Sequence, residues 1–541
     1  MALVNGNMLA ARALQAEGVD TFFYLLAAPI VPDCLKLGMN GILVRNETSA
    51  GLMAQGYSRV TGRPGIVLSG HGPGTANVVS ALANALADAC PVINFGNAAS
   101  LADRESGVFQ EMDQVTMMRP VTKWANQVHF VDKVPELIGT AFRHAMAPPH
   151  GPVYLDMPLD VMAQEIDEES VRMPVKYRTG SRAFGDPALV REAVDLLAEA
   201  ERPLVVTGSG ILWSQAHREM EAFVDATGIP FYTTPQGRGV IPEDHPRCFL
   251  GARSMAFREA DVVLVVGTRS NNISSFFSPP RWSNGAKFIF VNTDAKEIGH
   301  NAPAEIGILG DAGAVFSQLT EEARGRFKPD SDTPWTEALR DRDAQRVAQT
   351  AEIMDSDKIP MHPLRLCKEV RDFIDRDAVL AVDGHEILNF ARQSIPSYVP
   401  GHRVNAGTHG TMGVGVPFAI AAKVAKPDKQ VVCLTGDGAF GWHGFEIDTA
   451  VRHKLNVIFI ISNNGSFTAA ERDLVNPQKH LGYTRYDRMM EAFGGYGEWV
   501  EDPSNIRAAL ERAVASGKPA MINVKVDPYA AATTQIGIRR E

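Results

Sequence analysis

Residues 431–438 are Val431-Val432-Cys433-Leu434-Thr435-Gly436-Asp437-Gly438, and a second apolar run farther along the chain ends in Asn463-Asn464-Gly465-Ser466. Each run is rich in β-branched residues and closes on a turn of glycine, aspartate or asparagine, which predicts two neighbouring parallel strands. The carboxyl ends of such strands open into the crevice where doubly wound sheets bind ligands. We therefore expect Asp437 and Asn464 to lie together at that crevice.

The oxygen atoms at these turns suit a hard cation. Mg²⁺ prefers carboxylate, amide and carbonyl oxygens in a near-octahedral arrangement and leaves positions for water and phosphate. Asp437, Asn464 and the main-chain carbonyl of Ser466 would supply three ligands. Gly436 and Gly438 would let the backbone approach a diphosphate closely. Taken alone, Gly-Asp-Gly is also typical of a tight surface turn.

The rest of the chain alternates helical and strand-like patterns, which predicts an α/β protein built from parallel sheets. For a chain of 541 residues we predict three doubly wound parallel-sheet domains and a C-terminal tail, at residues 1–165, 186–326, 361–530 and 531–541. The acidic stretch from Glu165 to Ser170 is predicted to be irregular, and residues 327–360 are predicted to form a linker with some helix.

The composition excludes several classes of protein. Acidic side chains outnumber basic ones, 63 to 53, and no basic block is present, so we expect no nucleic-acid partner. No apolar run approaches the roughly 18 residues that a membrane helix needs, so we expect no membrane partner. The five cysteines form no CxxC motif, which argues against zinc and for a reducing compartment. With no secretory signal at the N-terminus, we expect a cytoplasmic protein.

The two turns at their observed spacing are a more specific signal than either turn alone. Gly-Asp-Gly is followed by 24 residues and then by Asn-Asn, with each motif directly after a β-branched run. This pair resembles the cofactor signature of thiamine diphosphate enzymes, and the resemblance covers essentially the whole chain, in the order pyrimidine-binding, middle and diphosphate-binding domain. It implies thiamine diphosphate and Mg²⁺ as cofactors, with Mg²⁺ bound by Asp437, Asn464 and the Ser466 carbonyl.

Glu47 opens a predicted helix directly after the strand-like run from Ile42 to Val44. A first-turn glutamate ordinarily complements the helix dipole. The run that follows, to Arg59, resembles the pyrimidine-domain helix of thiamine diphosphate enzymes, whose glutamate contacts N1′ of the aminopyrimidine ring. By that resemblance Glu47 is both a cofactor-binding and a catalytic residue, because a carboxyl group at N1′ promotes proton loss from C2 of the cofactor.

The resemblance assigns further residues. Met412 would be the apolar prop beneath the bent cofactor, although an isolated methionine is usually core packing. His385 and Glu386 align with a stretch that touches the diphosphate; a surface loop is the alternative. Gln110 corresponds to a catalytic-site glutamine that reaches the partner's active site, and His71 could act on substrate or be a partly exposed loop histidine. The predicted cofactor-binding set is Glu47, His385, Glu386, Gly410, Met412, Gly436, Asp437, Gly438, Ala439, Asn464 and Ser466.

Several stretches favour one branch of the family. Gly407 to Pro417, Gly441 to Thr449 and Ile522 to Pro528 look most like the acyl-CoA branch, which contains 2-hydroxyacyl-CoA lyases and oxalyl-CoA decarboxylases. The resemblance implies a carbon-carbon lyase that cleaves a small-molecule 2-hydroxyacyl-CoA between C1 and C2, reversibly, to formyl-CoA and an aldehyde or ketone. It also implies a homodimer or homotetramer with active sites at the subunit interface.

Other functions stay open. An acetolactate synthase-like enzyme that decarboxylates or condenses 2-keto acids would share the same ancestry, as would an oxalyl-CoA decarboxylase; a non-catalytic regulatory paralogue is more distant. Leu25-Leu26-Ala27-Ala28-Pro29 stands where the family commonly has a glycine-rich turn, which leaves the shape of the substrate pocket open. Arg253 and Arg403 could contact anionic groups, but we expect them to be ordinary surface arginines.

Overall fold

The computed structural model describes residues 3–26, 28–472 and 475–532. Three parallel sheets follow one another along the chain, and a short antiparallel pair accompanies the first. Of the predicted tail at 531–541, residues 533–541 lie outside the described residues. In the part of the chain that the structure describes, no helix has both the length and the apolar character needed to cross a membrane.

The N-terminal unit is a parallel sheet covered by helices. Its strands are β1 (Leu3–Asn5), β2 (Thr21–Tyr24), β3 (Asn40–Leu43), β4 (Gly65–Ser69), β5 (Val92–Ala98), β6 (Trp124–Gln127), β7 (Val153–Pro158) and β8 (Glu165–Asp167). Its helices are α1 (Gly6–Ala16), α2 (Val31–Lys36), α3 (Glu47–Thr61), α4 (Pro73–Ala87), α5 (Gln114–Met118), α6 (Val134–Met146) and α7 (Leu159–Ala163). The six-stranded sheet has the order β3-β2-β4-β5-β7-β6, and β1 pairs with β8.

Helix α3 shows how the sequence sets these elements. The Asn46 side chain caps the helix by accepting a hydrogen bond from the Thr48 N–H at 2.7 Å. The helix ends at Gly62, whose φ of 71° is the left-handed conformation that glycine adopts without strain. Strand β4 follows at once and is buried along its whole length, as a central parallel strand should be. The sequence pattern predicts a helix at residues 47–61 and a strand at residues 65–69, and both elements have these bounds.

The middle unit has five parallel strands in the order β10-β9-β11-β12-β13. They are β9 (Pro203–Thr207), β10 (Phe231–Thr233), β11 (Val262–Val266), β12 (Lys287–Asn292) and β13 (Ile306–Leu309). The helices of this unit are α8 (Pro187–Glu199), α9 (Ser209–Trp213), α10 (His217–Thr227), α11 (Arg253–Glu259) and α12 (Ala312–Glu322). The long helix α13 (Pro334–Met354) leads from it to the next unit.

The C-terminal unit holds the two motif strands next to each other. Its strands are β14 (Val379–Asp383), β15 (Arg403–Val404), β16 (Val431–Gly436), β17 (Ile458–Asn463), β18 (Tyr496–Val500) and β19 (Ala520–Lys525). Its helices are α14 (Pro363–Phe373), α15 (Glu386–Ser394), α16 (Gly415–Ala425), α17 (Asp437–His443), α18 (Ile447–Arg452), α19 (Tyr486–Ala492) and α20 (Ile506–Ala515). The parallel sheet has the order β15-β14-β16-β17-β19-β18.

The N-terminal and C-terminal sheets have the same permutation of strands. In each, the second strand lies at one edge, the first lies beside it, and the fifth lies at the other edge. The helices after the second strands, α3 and α16, occupy equivalent places and pack on each other. Their approach is close, since a Cβ on Gly56 would lie 2.9 Å from Cα of Phe418. One hydrophobic core therefore runs through both units.

Some sequence predictions need correction. The stretch from Glu165 to Ser170 is not irregular, because β8 pairs with β1 and a short 3-10 turn follows. The predicted linker is largely the regular helix α13. Five strands that the sequence did not predict lie at sheet edges, namely β6, β10, β13, β15 and β18. An edge strand has a neighbour on one side only and tolerates short or polar sequences, so its hydrophobic signal is weak.

Candidate active site

A pocket with a volume of about 520 Å³ opens where β14, β16 and β17 end. These strands are neighbours in the sheet, so the residues that follow them meet at one place. The segment after β15 closes another side of the pocket. The pocket brings together all the candidates predicted in the last third of the chain, which are His385, Glu386, Gly410, Met412, Gly436, Asp437, Gly438, Ala439, Asn464 and Ser466.

Asp437 is buried at the start of α17, with 1% of its surface exposed. Its Oδ2 atom has no hydrogen-bond partner among the described residues. Burial raises the pKa of Asp437 to about 7, although backbone N–H groups, including those of Gly438 and Asn464, act to lower it. A buried carboxylate oxygen without a partner is costly unless a cation contacts it. The local chemistry therefore fits a bound metal ion.

Asn464 and Ser466 stand opposite Asp437 on the turn after β17. The Asn464 side chain accepts a hydrogen bond from the Ser466 N–H at 3.1 Å and donates one to the Thr468 carbonyl at 3.0 Å. The turn needs Gly465, whose φ is 69°. In the described part of the chain, no group of three or more His, Cys, Asp or Glu side chains could hold a metal ion. The predicted set does not require one, since it combines a carboxylate, an amide and a carbonyl.

The Glu386 carboxylate accepts hydrogen bonds from the backbone of two other segments beside the pocket. Its Oε2 accepts a hydrogen bond from the Ala532 N–H at 2.6 Å, and its Oε1 accepts one from the Ala469 N–H at 3.3 Å. The His385 ring nitrogen Nδ1 lies 3.1 Å from Glu386 Oε1, and this contact raises the pKa of His385. Both residues line the pocket wall, and their contact with a bound diphosphate stays a prediction.

Met412 is not part of the hydrophobic core. Its side chain lines the pocket and is 39% exposed in this single chain. Gly410 has a φ of 72°, and no atom lies within 4 Å of the place where a Cβ would stand. This segment therefore presents one large apolar side chain and open space beside the metal-binding candidates.

The candidates predicted in the N-terminal unit gather around the turn at residues 71–74. Glu47 accepts a hydrogen bond from Asn77 Nδ2 at 3.0 Å, and its Oε1 lies 3.3 Å from the place of a Cβ on Gly74. The ring centroids of His71 and Phe109 are 6.4 Å apart. The Gln110 carbonyl oxygen packs 2.5 Å from the place of a Cβ on Gly72. Glu47, His71 and Gln110 thus form a second group of candidates.

The two groups of candidates do not share a pocket in one chain. Within the described residues, Glu47, His71 and Gln110 do not line the 520 Å³ pocket that holds Asp437. Each group nevertheless lies beside an equivalent helix, because Glu47 opens α3 and Met412 shortly precedes α16.

Three arginines near the pocket lack acidic partners. Arg392 lines the pocket, and Arg253 and Arg281 lie over the ring of Phe257 at 5.0 and 5.5 Å. None of the three pairs with a carboxylate in residues 3–26, 28–472 and 475–532. Burial, with repulsion from neighbouring arginines, lowers the pKa of Arg253 to about 9 and that of Arg392 to about 10. Such a cluster favours an anionic ligand.

The expectation that Arg253 and Arg403 are ordinary surface residues is wrong. Arg403 is 3% exposed and donates to the Ile395 carbonyl at 3.4 Å, and Arg253 is half-buried with an Nε that has no partner among the described residues. Three further residues near the pocket, Arg281, Arg392 and the buried acid Asp383, were not predicted from the sequence. Asp383 directly precedes Gly384 at a strand end, which is a signal that could have identified it.

Comparisons with known proteins agree with the order of the three units. Three family models match in order: "Thiamine pyrophosphate enzyme, N-terminal TPP binding domain" at residues 4–117, the "central domain" at 190–319 and the "C-terminal TPP binding domain" at 387–524. The chain is 35% identical to a 2-hydroxyacyl-CoA lyase of Oryza sativa subsp. japonica, over 98% of this chain and 96% of that protein.

Relatives with other activities match almost as well. The chain is 34% identical to an acetolactate synthase large subunit of Mycobacterium tuberculosis, over 98% of this chain and 97% of that protein. It is 32% identical to an oxalyl-CoA decarboxylase of Escherichia coli (strain K12), over 98% of this chain and 96% of that protein. The three consecutive domain matches and the near-complete coverage place the chain in the thiamine diphosphate enzyme family, as an enzyme that makes or breaks carbon-carbon bonds.

Proposed function

We propose that this enzyme cleaves a 2-hydroxyacyl-CoA between C1 and C2 and releases formyl-CoA and an aldehyde or ketone, in a reversible reaction. The similarity to 2-hydroxyacyl-CoA lyases over nearly the full chain supports this choice. The observation that supports a CoA thioester over a 2-keto acid is the arginine cluster without acidic partners, in which Arg392 lines the pocket and Arg253 and Arg281 are its neighbours. A 2-keto acid has a single carboxylate, whereas CoA brings a diphosphate and a ribose phosphate that such a cluster could bind.

Asp437, Asn464 and the Ser466 carbonyl would hold Mg²⁺, and through it the diphosphate of the cofactor. The unpartnered Oδ2 of Asp437 supports this assignment. When bound, thiamine diphosphate supplies the electron sink for the carbon that loses its C–C bond. His385, Glu386, Gly436, Gly438 and Ala439 would surround the diphosphate, and Gly410 and Met412 would support the rest of the cofactor.

Glu47 would hold and transfer a proton at N1′ of the aminopyrimidine ring. Since Glu47, His71 and Gln110 lie away from the Asp437 pocket in one chain, we propose that a second copy supplies them. The active enzyme is then a homodimer or homotetramer, with His71 and Gln110 of one subunit facing the substrate beside the pocket of the other. Oriented groups of this kind raise the rate by positioning the substrate and excluding water.

A product assay tests the proposed reaction. The protein, supplied with thiamine diphosphate and Mg²⁺, is incubated in parallel with a 2-hydroxyacyl-CoA, oxalyl-CoA or pyruvate, and the products are identified by mass spectrometry. We expect formyl-CoA and an aldehyde or ketone from the first substrate and slow turnover of the other two. Acetolactate from pyruvate, or rapid decarboxylation of oxalyl-CoA, with no cleavage of the hydroxyacyl-CoA, would overturn the proposal.

The arginine cluster has its own test. Arg253→Gln should raise KM for the acyl-CoA by at least about tenfold, because one lost charge-assisted contact costs about 1.5–3 kcal/mol. The same acyl group on pantetheine, which lacks the phosphates, should be cleaved equally well by parent and variant. Arg258→Gln is the control, since Arg258 is an exposed residue on the same helix α11. An equal loss with both substrates would mean that Arg253 does not bind the phosphates.

A further inference from the structure

The segment at residues 407–412, here named the Met412 segment, forms one wall of the cofactor pocket. It lies between β15 and α16 and has no regular secondary structure of its own. Both Met412 and Gly410 belong to it. A loop with few internal hydrogen bonds keeps a fixed position only if its ends are held by other parts of the protein.

The first end of the segment is held by the buried carboxylate of Asp88. Oδ1 of Asp88 accepts a hydrogen bond from the Thr408 N–H at 3.3 Å. The contact leaves no free space, since a Cβ on Gly407 would lie 2.0 Å from that oxygen. Asp88 stands at the end of α4 and is 4% exposed. Asp88 belongs to the N-terminal unit, so the segment, which belongs to the C-terminal unit, is held by a residue of another domain.

Asp88 is itself fixed from several sides. Its Oδ2 accepts hydrogen bonds from Gln55 Nε2 at 3.0 Å and from Gln236 Nε2 at 2.9 Å. Arg59, which is also buried, lies 3.7 Å away as an ion-pair partner. These partners come from α3 and from the middle unit, so the Met412 segment is tied to a site where all three units meet.

The other end is held by the buried carboxylate of Asp383, the last residue of β14. Oδ2 of Asp383 accepts a hydrogen bond from the Gly415 N–H at 2.9 Å, and the nearby Gly413 and Val414 N–H groups act to lower the pKa of this carboxylate. Its Oδ1 accepts from the Gly384 N–H at 2.7 Å. The start of α16, three residues after Met412, is thus fixed to the sheet that carries the metal-binding candidates.

Only a carboxylate can accept this many hydrogen bonds at one place. An asparagine of the same shape offers one oxygen, and its NH₂ group would face backbone N–H groups that also donate. The arrangement is costly, since burial raises the pKa of both Asp88 and Asp383 to about 6. Two buried carboxylates, one at each end of the same segment, therefore indicate that the position of this segment matters for function.

We propose that Asp88 and Asp383 are positioning residues that hold the two ends of the Met412 segment and thereby keep Met412 in place in the cofactor pocket. The inference rests on the proposed role of Met412 in supporting the cofactor. It does not depend on which substrate the enzyme uses.

Asp88→Asn and Asp383→Asn test the proposal, with Asp261→Asn as the matched control. Asp261 also accepts hydrogen bonds from backbone N–H groups, those of Glu201, Arg202 and Val262, but belongs to the middle unit. Amide hydrogen exchange of the cofactor-free protein, measured by mass spectrometry, reports the segment directly. We expect peptides that span residues 405–416 to exchange at least tenfold faster in both test variants and at the parental rate in the control.

The second readout is deuterium exchange at C2 of thiamine diphosphate, measured by NMR after acid quench with cofactor and Mg²⁺ present. Both test variants should slow this exchange at least tenfold, and the control should not. The proposal is overturned if amide exchange in the segment is unchanged, if C2 exchange is unchanged, or if Asp261→Asn slows C2 exchange equally. Neither readout uses a CoA ester, so a failure of the proposed function appears separately, in the product assay.

A further variant covers the case in which Asp88→Asn does not fold. Gly407→Ala would place a Cβ 2.0 Å from the Asp88 carboxylate and force the segment away from it without removing a charge. It should reproduce the faster amide exchange and the slower C2 exchange. Parental rates for both in a folded Gly407→Ala protein would overturn the role of Asp88.

Discussion

Asp437 combines burial with an unpartnered oxygen, and this combination has a direct consequence for cofactor binding. Asp437→Ala removes the anionic metal ligand, so the diphosphate would face an incomplete coordination shell. We expect Mg²⁺-dependent binding of thiamine diphosphate to be lost, as measured by titration calorimetry. Asp428→Ala, at an exposed site of the same unit, should bind normally. Parental affinity in Asp437→Ala would contradict the metal assignment.

Substitution of Glu47 should slow proton loss from C2 of the cofactor more than it weakens cofactor binding. Glu47→Gln keeps the size of the side chain but cannot transfer a proton to N1′, and general acid-base assistance is worth about 10² to 10⁴ in rate. We expect C2 deuterium exchange and turnover to fall within that range while cofactor affinity is retained. Glu337→Gln is the control, because Glu337 is a first-turn glutamate of α13. If C2 exchange is as fast in Glu47→Gln as in the parent, Glu47 only complements its helix dipole.

At this scale, the sequence identified residues whose signal is local. Asp437, Asn464 and Ser466 stand on turns directly after apolar runs, and the structure places them in one pocket. Asp88 gave no such signal, because its partners Thr408 and Gln236 lie far away in sequence. A contact between distant parts of the chain is set by the topology of the sheets, and hydrophobic periodicity does not encode it.

Among the elements, the contact between α3 and α16 depends on small residues. Gly56→Val would push a branched side chain into Phe418, whose Cα lies 2.9 Å from the place of a Cβ. Overpacking typically costs about 1–3 kcal/mol, more than the few tenths of a kcal/mol that valine gains over glycine in a helix. We therefore expect a lower melting temperature by differential scanning calorimetry.

The control for this substitution is Gly285→Val. A Cβ on Gly285 meets nothing within 4 Å, so this variant should melt close to the parent. A melting temperature for Gly56→Val at or above that of the parent would show that the two helices can separate at no cost.

The elements that the sequence predicted well are central ones. β9 and β11 are buried and apolar along most of their length, and the sequence pattern predicts strands with the same bounds, 203–207 and 262–266. Five of the strands that were missed are edge strands, for which the sequence Trp124-Ala125-Asn126-Gln127 of β6 is an example. A strand that is buried on both faces needs a continuous run of apolar residues, whereas a strand at a sheet edge can contain polar residues.

For the whole molecule, the proposed sharing of sites between subunits predicts complementation. Glu47→Ala and Asp437→Ala proteins should each be inactive, since each lacks one half of every site. After subunit exchange under mild dissociating conditions, heterodimers contain one site with neither substitution, so activity should return in the mixture. Activity is followed as formyl-CoA release, and subunit exchange is confirmed by native mass spectrometry. Fully exchanged heterodimers that stay inactive would rule out sites shared in this way.

The shared strand permutation of the first and third units gives the chain an internal repetition of topology. Two units with the same topology that pack through equivalent helices, α3 and α16, form within one chain the kind of contact that two identical copies make across an isologous interface. The residues near the two helices differ, since Glu47 opens α3 and Met412 lies three residues ahead of the start of α16. The proposed roles divide in the same way, with proton transfer beside α3 and support of the cofactor beside α16.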